Sequence, residues 1–469
     1  MFSFLDRQFQ LSNKQTSVSK EVLAGLTTFS TLAYIIFVNP AVLSKTGMDY
    51  NSVLVATCLA GAIGSLLIGL LSNYPFAQAP GMGLNAFFTY TVVMQLGYTW
   101  QQGLAIVFLS GLLFLVLTIT GVRARIVRAF PKAILMAIPA GIGLFIALIG
   151  FNSSGIVEVN QGPIIDAVLG VAESSPNEVI TAIHDAPPQV LQFGDFSSIP
   201  ILMAILGFFI MVGLLIRKWK GAILITIVLI SVIGIVIGEN NLPTQWLAWP
   251  TLDATWLQLD FNLIGGVEEV SKGARIIDVL TIILAFAMVD LFDSIGTLIG
   301  TADKGGFLDK EGRLPKMNKA LLADATATVS GALFGTSTTT TYIESATGIA
   351  AGGRTGLVSV TVAILFLLCI FITPIAAMIP GYATAPALIV VGIMMMGSLK
   401  KIEWEQLDVA VPAFLVIAII PFAYGIADGI GAGIIAYAFI QLVKNGGKGV
   451  SPFIWGIAIL FILKFWLLE

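Results

Sequence analysis

Charge is scarce in this sequence. Asp, Glu, Lys and Arg make up 11% of its 469 residues, against ~25% in an average soluble domain. A disordered chain is excluded, because high charge and low hydrophobicity are its signature. The two signs nearly cancel, 24 basic residues against 27 acidic for a net charge of -3. With no excess of basic residues, no nucleic-acid partner is expected. Histidine occurs once, at His184, and cysteine twice, at Cys58 and Cys369. No Cys/His spacing suits a metal ion, so neither metal nor cofactor is expected. Both cysteines sit inside apolar runs and read as reduced, small hydrophobes. The start of the chain lacks the basic stretch and apolar core of a signal peptide, which leaves insertion to the first membrane helix itself.

Apolar residues make up 57% of the chain, and glycine adds 48 more positions. A soluble fold of this length could not hide that much apolar surface. The composition is that of a polytopic membrane protein. A bilayer core of ~30 Å needs about 20 apolar residues per helix. Such runs fall near 22–43, 52–71, 80–97, 102–120, 132–150, 199–216 and 220–238. A second set lies near 276–301, 318–334, 339–352, 355–378, 384–399, 408–424 and 427–443. With the amino terminus inside, 20 of the 24 basic residues fall in cytoplasmic segments, and the outer loop 151–198 holds six acids without Lys or Arg, as the positive-inside rule requires. Seven spans followed by seven make the halves inverted relative to each other, an architecture of many secondary transporters. The tail 451–467 carries Lys464 with Trp455 and Trp466 near its ends, and reads as an interfacial helix.

Spans 3 and 10 cannot be regular helices. Span 3 opens with Pro75, Pro80, Gly81 and Gly83, and span 10 with five threonines among residues 336–341. Proline breaks the helical ladder, and threonine favours extended backbone. Short strands are expected in both, each followed by helix. Irregular backbone at membrane depth survives only buried in protein or lining a cavity. Paired interruptions at matching positions of two halves point to a transporter's binding site. The alignment of the halves sets Asn85 against Glu344, both where helix begins.

Acids within spans are rare and usually functional. Asp290, Asp293 and Thr297 share one face of span 8 by their helical spacing; Asp324 lies in span 9 and Glu344 in span 10. Basic residues occur in the fourteen spans only at their first or second position, as Lys132, Lys220 and Lys319, so none lies beside these acids in the sequence. Water-poor surroundings favour a neutral carboxyl, and a carboxyl that gains and loses a proton suits a proton-coupled carrier. Asp293 and Glu344 coincide with the broken spans and are the foremost site candidates. Asp290 and Asp324 read as structural supports, Asp324 as a clamp on the threonine strand. Asp428 reads as a surface or capping residue. On residues alone, a carrier of another small solute or anion on the same fold, a channel, and an intramembrane aspartyl enzyme stay open.

Four segments together resemble the nucleobase cation symporter 2 superfamily, in its AzgA-type branch of adenine, guanine and hypoxanthine permeases. They are Ala24–Tyr34 with Val38-Asn39-Pro40, Ala79–Ala86, Asp290–Thr297 and Thr339–Ser345. Where uracil permeases carry a glutamate and a histidine four residues on, this chain has Asp293 and Thr297. The resemblance implies an all-α polytopic membrane protein of fourteen transmembrane segments, a 7+7 inverted repeat with core and gate domains and short antiparallel strands in spans 3 and 10. The core domain comprises 1–130 and 270–379, the gate domain 131–245 and 380–445, and 446–469 is the tail. It implies no enzyme but proton symport of a purine nucleobase into the cell, in the plasma membrane, by a homodimer. Asn85, Asp293 and Glu344 would hold the base. Gly83, Phe292, Thr297, Tyr342 and Ile343 would complete the pocket, Asp293 or Glu344 would carry the proton, and Asp290, Asp324, Thr340 and Thr341 would support them.

Overall fold

The computed structural model describes residues 2–121, 126, 129–159, 191–243, 245–264 and 272–468. His184 and most of the outer loop 151–198 therefore lie outside the described residues. The chain is mostly helical. Seven stretches among the described residues are long and apolar enough to cross a membrane, from Val18–Thr46 to Ile426–Asn445.

In the first part, α1 (Phe2–Phe9) precedes α2 (Val18–Leu32), α3 (Ile35–Leu43) and α4 (Tyr50–Ser72). Then come β1 (Gln78–Pro80), α5 (Met82–Ala86), a widened helical segment over Phe87–Gln95, α6 (Trp100–Ile119) and α7 (Lys132–Ser153). Short strands β2 (Val157–Val159) and β3 (Leu191–Phe193) pair with each other, and α8 (Ile199–Ile216) and α9 (Ala222–Val236) follow. The second part runs α10 (Lys272–Gly305), α11 (Met317–Phe334), β4 (Thr339–Thr341), α12 (Ser345–Ala350), α13 (Leu357–Cys369), α14 (Thr373–Ala377) and α15 (Gly381–Met395). It closes with α16 (Leu407–Phe422), α17 (Ile426–Asn445) and α18 (Pro452–Leu468).

Both expected strands form, and they pair with each other. β1 and β4 are antiparallel, with Ala79 opposite Thr340 at the centre. Each is released from the preceding helix by a left-handed residue: Asn73 (φ 58°) ends α4 and Gly335 (φ 98°) ends α11. Glycine is required at the second site, because a Cβ there would run into Thr255. The two-fold character extends past the strands. Gly81 N–H donates to Thr338 O, and Tyr342 N–H donates to Ala77 O, both at 2.9 Å.

A buried strand must satisfy its outer edge as well. Ser65 on α4 takes the Gln78 N–H at 3.0 Å and donates to Gln78 O at 3.2 Å. Thr328 on α11 treats Thr339 in the same way, at 3.3 and 3.1 Å. Hydroxyls thus take the place of missing neighbour strands.

Two features differ from the sequence reading. Span 1, expected as one helix over 22–43, breaks at Ala33–Tyr34 into α2 and α3. The tail helix α18 is not merely peripheral: it packs against α10 and α17, with Ile454, Ile457 and Phe461 buried. Its Lys464 is 5% exposed. The ammonium donates to Asp428 at 2.7 Å and lies 3.8 Å from Asp278. Asp428 is therefore an ion-pair partner rather than a surface acid, and a basic residue does sit among the apolar helices.

Candidate functional site

The β1–β4 crossing organises the acids. α10 runs beside β4, and α11 packs against both β4 and α4. Asp324 on α11 is fully buried. It accepts from Gln78 Nε2 at 2.9 Å, from Thr341 Oγ1 at 3.5 Å and from Ser294 Oγ at 2.5 Å. One carboxylate thus joins β1, β4 and α10. Its neighbour Asp290, also buried, accepts from Ser294 Oγ at 3.5 Å and Thr328 Oγ1 at 3.4 Å.

Asp293, one helical turn beyond Asp290, turns toward a small cleft. The cleft is narrow and is lined by Gly83, Leu84, Ile138, Ile142, Phe292 and Asp293. Thr340 Oγ1 donates to Asp293 at 3.4 Å, so the strand centre touches the acid. Glu344 stands at the start of α12, and Tyr34 OH donates to its Oε1 at 3.1 Å. Asp293 and Glu344 are close enough to interact electrostatically, and Tyr342 is near both. The arrangement offers two carboxyls and a nearby aromatic ring beside an apolar cleft. Carboxylates accept hydrogen bonds from N–H groups, and two of them repel an anion.

The remaining candidates are placed unevenly. Gly83 and Phe292 line the cleft. Phe292 packs edge-on against Phe130, with ring centres 5.0 Å apart. Phe87 and Phe88, which follow α5, are fully buried. Tyr342 is spoken for at its hydroxyl, which donates to Pro80 O at 2.5 Å. Thr297 is half-buried, and its carbonyl accepts from Thr301 Oγ1 at 2.6 Å. Asn85 is fully buried one turn into α5, where its Oδ1 accepts from Ser337 Oγ at 2.6 Å and its Nδ2 has no partner among the described residues.

Ile343 is 51% exposed in the turn between β4 and α12 and, like Asn85, Thr297, Tyr342 and Glu344, does not line the cleft. One expectation needs correction: the match of Asn85 to Glu344 is displaced. With Ala79 opposite Thr340, the residue four beyond the strand centre is Gly83 in one segment and Glu344 in the other.

Sequence reasoning missed Tyr34, Gln78 and Ser294, and the cleft wall of Ile138, Pro139 and Ile142 on α7. Pro139, inside an apolar span, was the one available signal for that wall.

Comparison with known proteins decides the family. Residues 19–431 match the Permease family. The chain belongs to that family. The adenine permease AdeP of Escherichia coli is 38% identical over 98% of this chain and 95% of its own. The guanine/hypoxanthine permease PbuG of Bacillus subtilis is 38% identical over 97% of this chain and 98% of its own. These relatives place the chain in the AzgA-type branch that its motifs resemble. It is a transporter, which removes the intramembrane aspartyl enzyme from consideration. Among solved structures, the transmembrane domain of the cyanobacterial bicarbonate transporter BicA matches with a TM-score of 0.61, over 88% of this chain and 97% of that one. At 16% identity that match speaks for the fold alone.

Proposed function

We propose that the protein imports purine nucleobases (adenine, guanine and/or hypoxanthine) by proton symport. The observation that carries this reading is the meeting of Asp293 and Glu344 at the β1–β4 crossing beside the cleft, in a chain 38% identical to permeases named for adenine and for guanine and hypoxanthine. A purine presents ring N–H donors that carboxylates accept, and charge-assisted bonds of this kind are roughly twice as strong as neutral ones. The fold is shared with a bicarbonate carrier, but the paired acids favour an uncharged heterocycle over an anion.

In this reading fourteen spans form a 7+7 inverted repeat. The reciprocal hydrogen bonds around Ala79 and Thr340 support it. The core domain would comprise spans 1–4 and 8–11 and the gate domain spans 5–7 and 12–14. The packing of α7 against α15 and α16, and of α4 against α11 and α13, supports that division. The transporter would sit in the plasma membrane with its amino terminus in the cytoplasm, as a homodimer joined through the gate. From outside, Asp293 or Glu344 takes a proton, the base binds at the crossing, and the core moves against the gate. Proton and base then leave together, drawn by a membrane potential worth ~2.3 kcal/mol per charge per 100 mV. The test is uptake of radiolabelled adenine, guanine and hypoxanthine into proteoliposomes. An inward proton gradient should drive accumulation, and Glu344→Gln should abolish it while the protein still inserts. Accumulation indifferent to the gradient would remove proton coupling; normal uptake by Glu344→Gln would remove that residue from the site.

A further inference from the structure

We infer that Tyr34 is a positioning residue for Glu344 and thereby sets the affinity for the transported base. The inference rests on the proposed nucleobase transport and adds to it a residue on the first span.

Tyr34 sits at the break between α2 and α3. Its backbone stays helical (φ -56°, ψ -26°), but the bonding tightens there. Ile36 N–H donates to Ala33 O and Phe37 N–H to Tyr34 O, three residues back instead of four. The tightened turn changes the angular position of residues beyond it on the helix. The Tyr34 side chain is 1% exposed, and a buried hydroxyl must find a partner or pay the cost of desolvation. Its partner is Glu344 Oε1, 3.1 Å away and 310 residues on in the chain.

Close packing of α12 on α2 at Gly348 brings the two residues within reach, and a hydrogen bond adds to it. Thr31, one turn earlier on α2, shares a hydrogen bond with Thr347 on α12 at 3.1 Å. Gly348 lies so close to Thr28 and the Ala24 carbonyl that any side chain there would collide. α2 and α12 are therefore held in close contact, and Glu344 begins α12. The Tyr34 hydroxyl occupies one carboxylate oxygen. A carboxylate has about four lone-pair sites, so capacity remains for an N–H of the base. With one oxygen tethered, the side chain is limited in its rotamers, and less order has to be gained on binding.

The experiment is Tyr34→Phe in the full-length protein, reconstituted in proteoliposomes. Phenylalanine keeps the ring packing and deletes the hydroxyl. For whichever of adenine, guanine and hypoxanthine the wild type takes up best, KM should rise about tenfold, toward the lower end for losing a charge-assisted hydrogen bond. Vmax, membrane abundance and thermal stability should stay within about twofold or unchanged, a split that general loosening of the fold would not give. Thr31→Val removes the neighbouring tie between α2 and α12 but leaves the donor to Glu344, and its KM should stay near wild type. An unchanged KM in Tyr34→Phe overturns the inference, as does an equal rise in Thr31→Val. A wild type that takes up no purine overturns the transport reading itself, an outcome distinct from wild-type uptake with an insensitive Tyr34.

Discussion

Replacing Lys464 by methionine tests how the last helix is held. The ammonium donates to Asp428 at 2.7 Å and stands 3.8 Å from Asp278 Oδ1. The side chains are 7%, 22% and 4% exposed, respectively. Asp278 Oδ2 accepts from Tyr98 OH at 2.9 Å, while its Oδ1 has no hydrogen-bond partner among the described residues and lies within ion-pair distance of the lysine. Lys464→Met keeps most of the apolar stem and strips the charge, leaving two acids near each other. Removing one partner of a buried ion pair costs about 3–5 kcal/mol. Partial exposure of Asp428 lets water recover some of this, so we expect the lower end, about 3 kcal/mol. Denaturant unfolding of the purified protein in detergent, followed by tryptophan fluorescence, measures the loss. Neutralising the stranded acid as well, in Lys464→Met/Asp428→Asn, should restore about half of it, because the pair couples. A single variant within about 0.5 kcal/mol of wild type, the range of ordinary surface substitutions, would refute the reasoning.

Two further changes probe the crossing and the cleft. Asp324→Ala removes the nearest acceptor of the buried Gln78 amide and Ser294 hydroxyl, leaving them Thr341 Oγ1 at 3.2 Å and Asp290 Oδ1 at 3.5 Å, a loss of about 1–3 kcal/mol. It should lower thermal stability sharply and end uptake, with Asp324→Asn milder; a melting temperature equal to wild type would contradict the clamp. At Gly83, an added Cβ would stand 2.5 Å from Ile142 Cγ2. Gly83→Val should fill the cleft and raise KM about tenfold or more at near-normal abundance, as overpacking costs of ~1–3 kcal/mol imply; an unchanged KM would place the substrate elsewhere.

How far the sequence could be read depended on whether a feature is local. β1 and β4 were legible because prolines, glycines and a threonine run act on their own backbone. Helices such as Ile199–Ile216 begin and end where the apolar run does. The break at Ala33–Tyr34 was not legible, since the proline of span 1, Pro40, lies six residues beyond it; Tyr34 turns in where a partner 310 residues away receives its hydroxyl. Lys464 looked like an interfacial marker because its acids belong to other helices, Asp428 lying 36 residues earlier. The displaced pairing of Asn85 with Glu344 came from aligning helix starts, whereas strand register pairs Glu344 with Gly83.

The most direct measurement is equilibrium binding of radiolabelled purine to purified protein, wild type beside Glu344→Gln and Asp293→Asn. Saturable binding in the wild type, displaced by unlabelled adenine, guanine or hypoxanthine and lost in both variants, is the expected result. Binding that survives both substitutions at full affinity would mean that the base is held somewhere other than the meeting of the two strands.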